Sequence, residues 1–181
     1  FALMGSIYAE EILEIPNPSV GLMNIGVEEE KGTSVIKAAY SDLKQIENVN
    51  FVGNVEARDI FEGNVNVVVC DGFTGNIFLK TVEGFGAYIF KRLKEEVKSG
   101  ITYKIGAMML KPALNNIRGS LDYSEYGGAM LLGIDGVLVK CHGSSDSKAI
   151  SNGIKAAYKF AQANIREKLK ENINLLVEKE N

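Results

Sequence analysis

The sequence predicts an α/β fold in which a parallel sheet is covered by helices, and three observations carry that prediction. Short apolar runs at Val20–Ile25, Val49–Val52 and Val65–Cys70 read as strands. Helical periodicity over Thr33–Glu47 separates the first two runs, and a longer helical pattern from Asn76 to about Lys98 follows the third. A glycine-bearing turn with polar side chains closes each strand, as at the ligand-binding carboxyl edge of open α/β sheets.

The totals bound the answer. With 181 residues and 46% hydrophobic composition, the chain can form one well-buried domain or a large part of a bigger one. A net charge of −3 and the absence of Trp disfavour nucleic acid as a partner. Cys70 and Cys141 lie in apolar runs without CxxC spacing, which suggests neither zinc nor a disulfide framework and fits a reducing cytoplasm. No apolar run approaches the roughly 20 residues that span a bilayer, and no signal core opens the chain. The opening Phe1-Ala2-Leu3-Met4 reads as already helical, so the residues are expected to be the later part of a longer polypeptide.

In the first helix, Phe1–Leu13, Leu3, Ile7, Tyr8 and Ile12 recur at helical spacing until Pro16 and Pro18 end it. After the strand Val20–Ile25, the loop Glu28-Glu29-Glu30-Lys31-Gly32 is strongly polar and either orients a partner or is solvated surface. Ile36, Ala39, Tyr40, Leu43 and Ile46 share one face of the next helix. Strand Val49–Val52 is expected to end in a turn, Gly53-Asn54-Val55-Glu56, before a short helical turn at Arg58–Phe61.

The third strand leads into the stretch VVVCDGFTGN, Val67–Asn76, and is expected to be buried on both faces. Gly72 and Gly75 suggest a tight loop, with Thr74 or Asn76 capping the helix beyond. Unpaired N–H groups at such a helix start form an anion site. The helix carries Phe78, Val82, Phe85, Ile89, Leu93 and Val97 along its apolar stripe. Ser99-Gly100 breaks it, and a second helix, Ile101–Arg118, completes a helical hairpin over 76–118, with Pro112 expected to kink it. No acidic residue lies between Glu96 and Asp122, while Lys104, Lys111 and Arg118 recur at heptad spacing. That pattern suits an anionic membrane surface, or else ordinary core or a subunit interface with the basic side chains in water.

A polar aromatic loop, Asp122–Gly128, precedes two apolar runs, Ala129–Ile134 and Val137–Cys141, joined at the hairpin signal Asp135-Gly136. His142-Gly143-Ser144-Ser145 then leads into one long helix whose buried side is expected at Ile150, Ile154, Ala157, Ala161, Ile165, Leu169 and Ile173. This second strand-to-helix turn repeats the logic of the first, and two such turns can bracket one anion if their strands end on the same sheet edge. His142, the sole histidine, is a candidate acid–base group or phosphate donor, with a structural strand-end role as the alternative.

The segments MNIGVEEEKG (Met23–Gly32), GNVEARDIF (Gly53–Phe61), VVVCDGFTGNIFLKTVEG (Val67–Gly84), YSEYGGAMLLG (Tyr123–Gly133) and CHGSS (Cys141–Ser145) occur in order along nearly the whole chain. Together they resemble the PlsX-type phosphate acyltransferase family of bacterial phospholipid synthesis. The resemblance implies a three-layer α/β/α fold of the isocitrate- and isopropylmalate-dehydrogenase type with a protruding helical hairpin. It also implies acyl transfer from acyl-acyl-carrier protein to inorganic phosphate, giving acyl phosphate, without metal or organic cofactor. The family forms homodimers that associate peripherally with the cytoplasmic membrane through the hairpin, so Lys104, Lys111 and Arg118 become candidate membrane contacts. Ala57 stands where the family commonly has glycine and Met130 where it commonly has proline. By this resemblance residues 1–181 are expected to correspond to the C-terminal portion of a single acyltransferase, so that a site shared with an N-terminal half would be incomplete in them.

Phosphate oxygen can attack an activated thioester directly once the enzyme holds the anion and stabilises the oxyanion. His142 and Asn76 are the candidate catalytic side chains. Asp71, Gly72, Thr74, Gly75, Gly143, Ser144 and Ser145 are expected to bind phosphate or thioester, and Asn24, Glu28, Asn54 and Glu125 to line the cleft. Cys70 and Cys141 read as core cysteines rather than acyl acceptors. Rival readings are a phosphotransacetylase using short acyl-coenzyme A and a non-catalytic membrane-associated scaffold.

Overall fold

A computed structural model describes residues 1–120, 128–143, 145–163 and 165–180, with positions 118, 120 and 175–180 described by backbone alone. Its centre is a parallel sheet in which β1 (Ser19–Asn24) lies between β2 (Asn50–Glu56) and β3 (Val67–Val69). Helices α1 (Ala2–Glu11) and α2 (Ser34–Leu43) pack against these strands, giving the α/β fold read from the sequence. Every β1 residue after Ser19 is buried, which is why its sequence shows no polar alternation. Leu3, Ile7, Val20, Leu22, Leu43, Phe160, Ile165 and Leu169 belong to one core cluster. Gly5 permits the close approach of α1 to the sheet, because a β-carbon there would stand 2.7 Å from Val67 Cγ1.

Two strand expectations need correction. β3 is only half-buried and, among the described residues, pairs with β1 alone, so the doubly buried strand is β1 and not the Val65–Cys70 run. An apolar run records affinity for a covered position without saying which strand occupies the middle. In β2, Gly53–Glu56 continues the strand instead of turning. Val20 pairs with Phe51 but Gly21 with Gly53, leaving Val52 as the extra residue of a bulge at which Gly53 takes φ +100°. The strand therefore reaches four residues further and brings Asn54 under the β1–α2 loop.

A 3-10 turn, Asp59–Glu62, joins β2 to β3. Helices α3 (Gly72–Lys98) and α4 (Ile101–Ser120) meet at Ser99-Gly100 as the expected hairpin, although α3 starts one turn earlier than Asn76. None of the α3 side chains is buried, and the ring of Phe78 lies 5.9 Å from that of Phe61. The ordinary-core reading of this hairpin therefore fails within the chain itself: Met108 is 74% and Met109 79% exposed.

β4 (Ala129–Met130) and β5 (Val139–Lys140) form a separate antiparallel pair. The single long helix expected after Ser145 is instead α5 (Ser147–Gln162) and α6 (Ile165–Glu180). The break shifts the helical phase. Ile165 and Leu169 are buried as expected, but Ile150 and Ile154 are 44% and 67% exposed, and α5 buries Ala149, Gly153 and Phe160 instead. Lys159 of α5 donates to the Ile12 carbonyl at 2.6 Å, setting a cation against the carboxyl end of α1. No helix among the described residues is long and apolar enough to cross a membrane.

Candidate functional site

The three parallel strands finish together. Asn24 at the end of β1 pairs in register with Glu56 at the end of β2, and carrying the Leu22–Val69 register two residues further reaches Asn24 and Asp71. From this row depart the β1–α2 loop, the turn after β2, and α3. Parallel strand ends of this kind are where an α/β sheet presents loops and helix N-termini to a ligand.

Buried amides shape the first loop. Asn24 is 7% exposed; its Oδ1 accepts from the Ile25 N–H at 2.8 Å and its Nδ2 donates to the Lys31 carbonyl at 3.1 Å. Asn54, also 7% exposed, donates from Nδ2 to the Glu28 carbonyl at 2.9 Å. Both were expected to line the cleft; they sit beneath the loop and support it. Glu28 itself is exposed. Glu29 Oε1 accepts from Tyr40 Oη at 3.0 Å and Lys44 Nζ at 2.8 Å, which ties the loop to α2. The Lys44 hydrogen bond, followed by that from Tyr40, holds the Glu29 carboxyl below its ordinary range. Lys31, exposed in the same loop, supplies a cation that the sequence reading passed over as part of a polar run. The available signal was a single base within an acidic stretch at the end of a central strand.

The α3 start differs from expectation in its cap. Asp71, not Thr74 or Asn76, is the N-cap: Oδ1 accepts from the Phe73 and Thr74 N–H groups, each at 2.9 Å, and Oδ2 accepts from the Thr74 hydroxyl. The Thr74 side-chain bond is the leading cause of an Asp71 pKa below the usual carboxylate range. Two N–H groups that an anion would use are therefore already engaged by a carboxylate of the chain. Gly72, Thr74, Gly75 and Asn76 lie in the first turns of α3 rather than in a loop, and Asn76 is exposed there. Cys70 is partly buried; burial, then the adjacent Asp71 charge, pushes its thiol pKa up and away from the thiolate an acyl acceptor needs.

The second turn has the same construction. Ser145 N–H donates to the His142 carbonyl at 3.0 Å, and Asp146 caps α5 by accepting from the Ala149 N–H at 2.8 Å. His142 and Gly143 are exposed and Ser145 is half-buried, while Ser144 and Glu125 lie outside the described residues. β5 belongs to the antiparallel pair and β3 to the parallel sheet, so among the described residues no shared sheet edge aligns the two turns. Asn24, Asn54, Glu28, Asp71 and the α3 residues are gathered at one edge; the His142 turn leaves from another sheet.

Comparison with known proteins matches residues 1–168 to the family described as "Fatty acid synthesis protein". A protein named "Phosphate acyltransferase" from Clostridium tetani is 54% identical over 173 residues, covering 96% of this chain and 52% of its own length. One of the same name from Caldicellulosiruptor saccharolyticus is also 54% identical over 173 residues, with the same coverage. A third from Dictyoglomus turgidum is 45% identical over 179 residues, 99% of this chain and 53% of the relative. The chain thus spans about half the length of the curated relatives it matches, and by both extent and identity it belongs to the fatty acid synthesis protein family in which these phosphate acyltransferases fall.

Proposed function

We propose that the chain forms one wall of a site that transfers a fatty acyl group from acyl-acyl-carrier protein to inorganic phosphate, yielding acyl phosphate for phospholipid synthesis. The observation that carries this reading is the convergence of the Lys31 loop and the Asp71-capped start of α3 at adjacent ends of a parallel sheet. Similarity to proteins named phosphate acyltransferase supports the reaction class.

In this reading a phosphate oxygen attacks the thioester carbonyl, the carbon–sulfur bond breaks, and the departing thiolate takes up a proton. Lys31 offsets phosphate charge, and Asn76 provides amide donors from the first turns of α3. Asp71 keeps the helix start ordered, with its carboxylate holding the Phe73 and Thr74 N–H groups. The assignment of His142 as an acid–base group requires its turn to be brought to the same substrate by the rest of the protein. The exposed apolar faces of α3 and α4, together with Lys104 and Lys111, suit contact with a second copy and with an anionic membrane.

The test is phosphate-dependent thiol release by the full-length protein, compared between acyl-carrier-protein and coenzyme A thioesters of several chain lengths. Preference for long-chain carrier-protein thioesters is the expected result. Preference for short coenzyme A thioesters would replace it with phosphotransacetylase activity, and absence of phosphate-dependent release would leave a scaffold. Asn76→Ala and His142→Ala then test the side-chain assignments, with unchanged turnover in both removing them.

A further inference from the structure

The segment Glu28–Lys31 hangs from two side chains on adjacent strands. The Glu28 carbonyl accepts from Asn54 Nδ2 at 2.9 Å and from the Lys31 N–H at 3.2 Å, and the Lys31 carbonyl accepts from Asn24 Nδ2 at 3.1 Å. One amide therefore fixes where the segment begins and the other where it ends. Between them Glu29 reaches outward to Tyr40 and Lys44.

The orientation of the Asn54 amide is set by its partner. A carbonyl can only accept, so the nitrogen faces Glu28 and the oxygen is directed elsewhere. That oxygen is buried and has no hydrogen-bond partner among the described residues. A side chain serving packing alone would not leave a buried acceptor unpaired at a position where an aliphatic residue would fill the same space. What the asparagine provides here is its donor to the loop. Asn24 makes the complementary bond, and Gly32 leaves room for it, since a β-carbon at that position would stand 2.6 Å from Asn24 Oδ1.

We propose that Asn54 and Asn24 are paired positioning residues of the acyl-transfer site: through the backbone of residues 28–31 they hold Lys31 at the sheet edge for phosphate, without touching the substrate themselves. This inference rests on the phosphate acyltransferase reading for the identity of the anion. The clamp itself rests only on the hydrogen bonds.

The experiment uses the full-length protein with Asn54→Ala, Asn54→Asp, Asn24→Ala and the Asn54→Ala/Asn24→Ala double variant. Asn54→Asp keeps the shape but cannot donate when ionised, which separates the hydrogen bond from packing. Hydrogen exchange at the amides of residues 28–32 reports the clamp, and separate KM and kcat values for phosphate and acyl donor report its use. Exchange in the loop should rise roughly tenfold in each single variant, the scale of one lost hydrogen bond, while α1 and β1 stay protected. Phosphate KM should rise by a comparable factor with the acyl-donor KM little changed. The double variant should cost less than the product of the single effects, because both bonds restrain one segment.

Unchanged loop exchange, or equal loss of protection in α1 and β1, overturns the clamp. Loop release with unaltered phosphate KM overturns its positioning role. A wild-type protein without phosphate-dependent thiol release would remove the acyltransferase reading and the positioning role with it, while the exchange data would still show whether the clamp exists.

Discussion

Asp71 closes on Thr74 through both of its oxygens, one accepting from the Thr74 N–H at 2.9 Å and the other from the Thr74 hydroxyl. The helix start proposed to meet phosphate thus carries a negative charge of its own. Replacing Asp71 by Asn keeps an oxygen able to cap the helix and removes that charge. The expected outcome is retained helicity with a phosphate KM lowered roughly two- to fivefold, the scale of one charge at a helix N-terminus. Asp71→Ala should instead lose the cap and lower the melting temperature. A large fall in kcat for Asp71→Asn at constant KM would move Asp71 into the chemistry.

Glu29 gives a pH dependence with a defined sign. Its carboxyl pKa is lowered in the folded chain, first by the Lys44 hydrogen bond and then by Tyr40, so the tether is fully formed above the ordinary glutamate range and lost as the pH falls through the depressed folded value. Hydrogen exchange across residues 28–32, corrected for intrinsic rates, should accelerate below that range in the native protein. In Glu29→Gln the extra acid step should disappear.

Gly32 has φ +87°, and a β-carbon there would stand 2.6 Å from Asn24 Oδ1. Gly32→Ala combines backbone strain with displacement of a buried amide and should cost about 1–3 kcal/mol in denaturant unfolding. Gly136 offers the contrast, because a β-carbon there would meet nothing within 4 Å. Gly136→Ala should leave the unfolding midpoint close to that of the native protein.

These positions show what sequence could reveal. Asn24 and Asn54 were legible as polar side chains at the carboxyl edge of a parallel sheet, where such a sheet presents its loops, but their direction was not. The bulge at Gly53 turns an expected loop into strand and brings Asn54 beneath the Glu28 carbonyl. The capping role of Asp71 was hidden by Gly72 and Gly75, whose spacing suggested a tight loop with Thr74 or Asn76 as the cap. Gly72 instead opens α3, and a β-carbon at Gly75 would stand 2.9 Å from Cys70 Sγ. Helical periodicity located the helix after Ser145 but could not show the break before Ile165. Extending one stripe across that break assigned Ile150 and Ile154 to the core when Ala149, Gly153 and Phe160 occupy it.

Cys70 stands beside the proposed anion site with a thiol pKa raised first by burial and then by Asp71. It is therefore a weak nucleophile at neutral pH. Cys70→Ser should retain phosphate-dependent thiol release within about threefold, a factor set by modest repacking. Loss of turnover together with acyl label trapped on Cys70 in the native enzyme would establish a covalent route.

The α3–α4 hairpin presents an exposed surface of a different kind. Ile101, Tyr103, Ile105, Met108 and Met109 are exposed on α4, as are Lys104 and Lys111. A basic residue near an anionic leaflet contributes about 1 kcal/mol to adsorption, so reversing Lys104, Lys111 and Arg118 to Glu should reduce partitioning onto phosphatidylserine-containing vesicles at least ~100-fold. The same protein should bind neutral vesicles weakly, and native binding should fall with added salt. Met108→Ser with Met109→Ser supplies the apolar arm of the test: weakened vesicle binding at unchanged oligomeric mass assigns those side chains to lipid. A shift to lower mass with vesicle binding intact assigns them to a second copy.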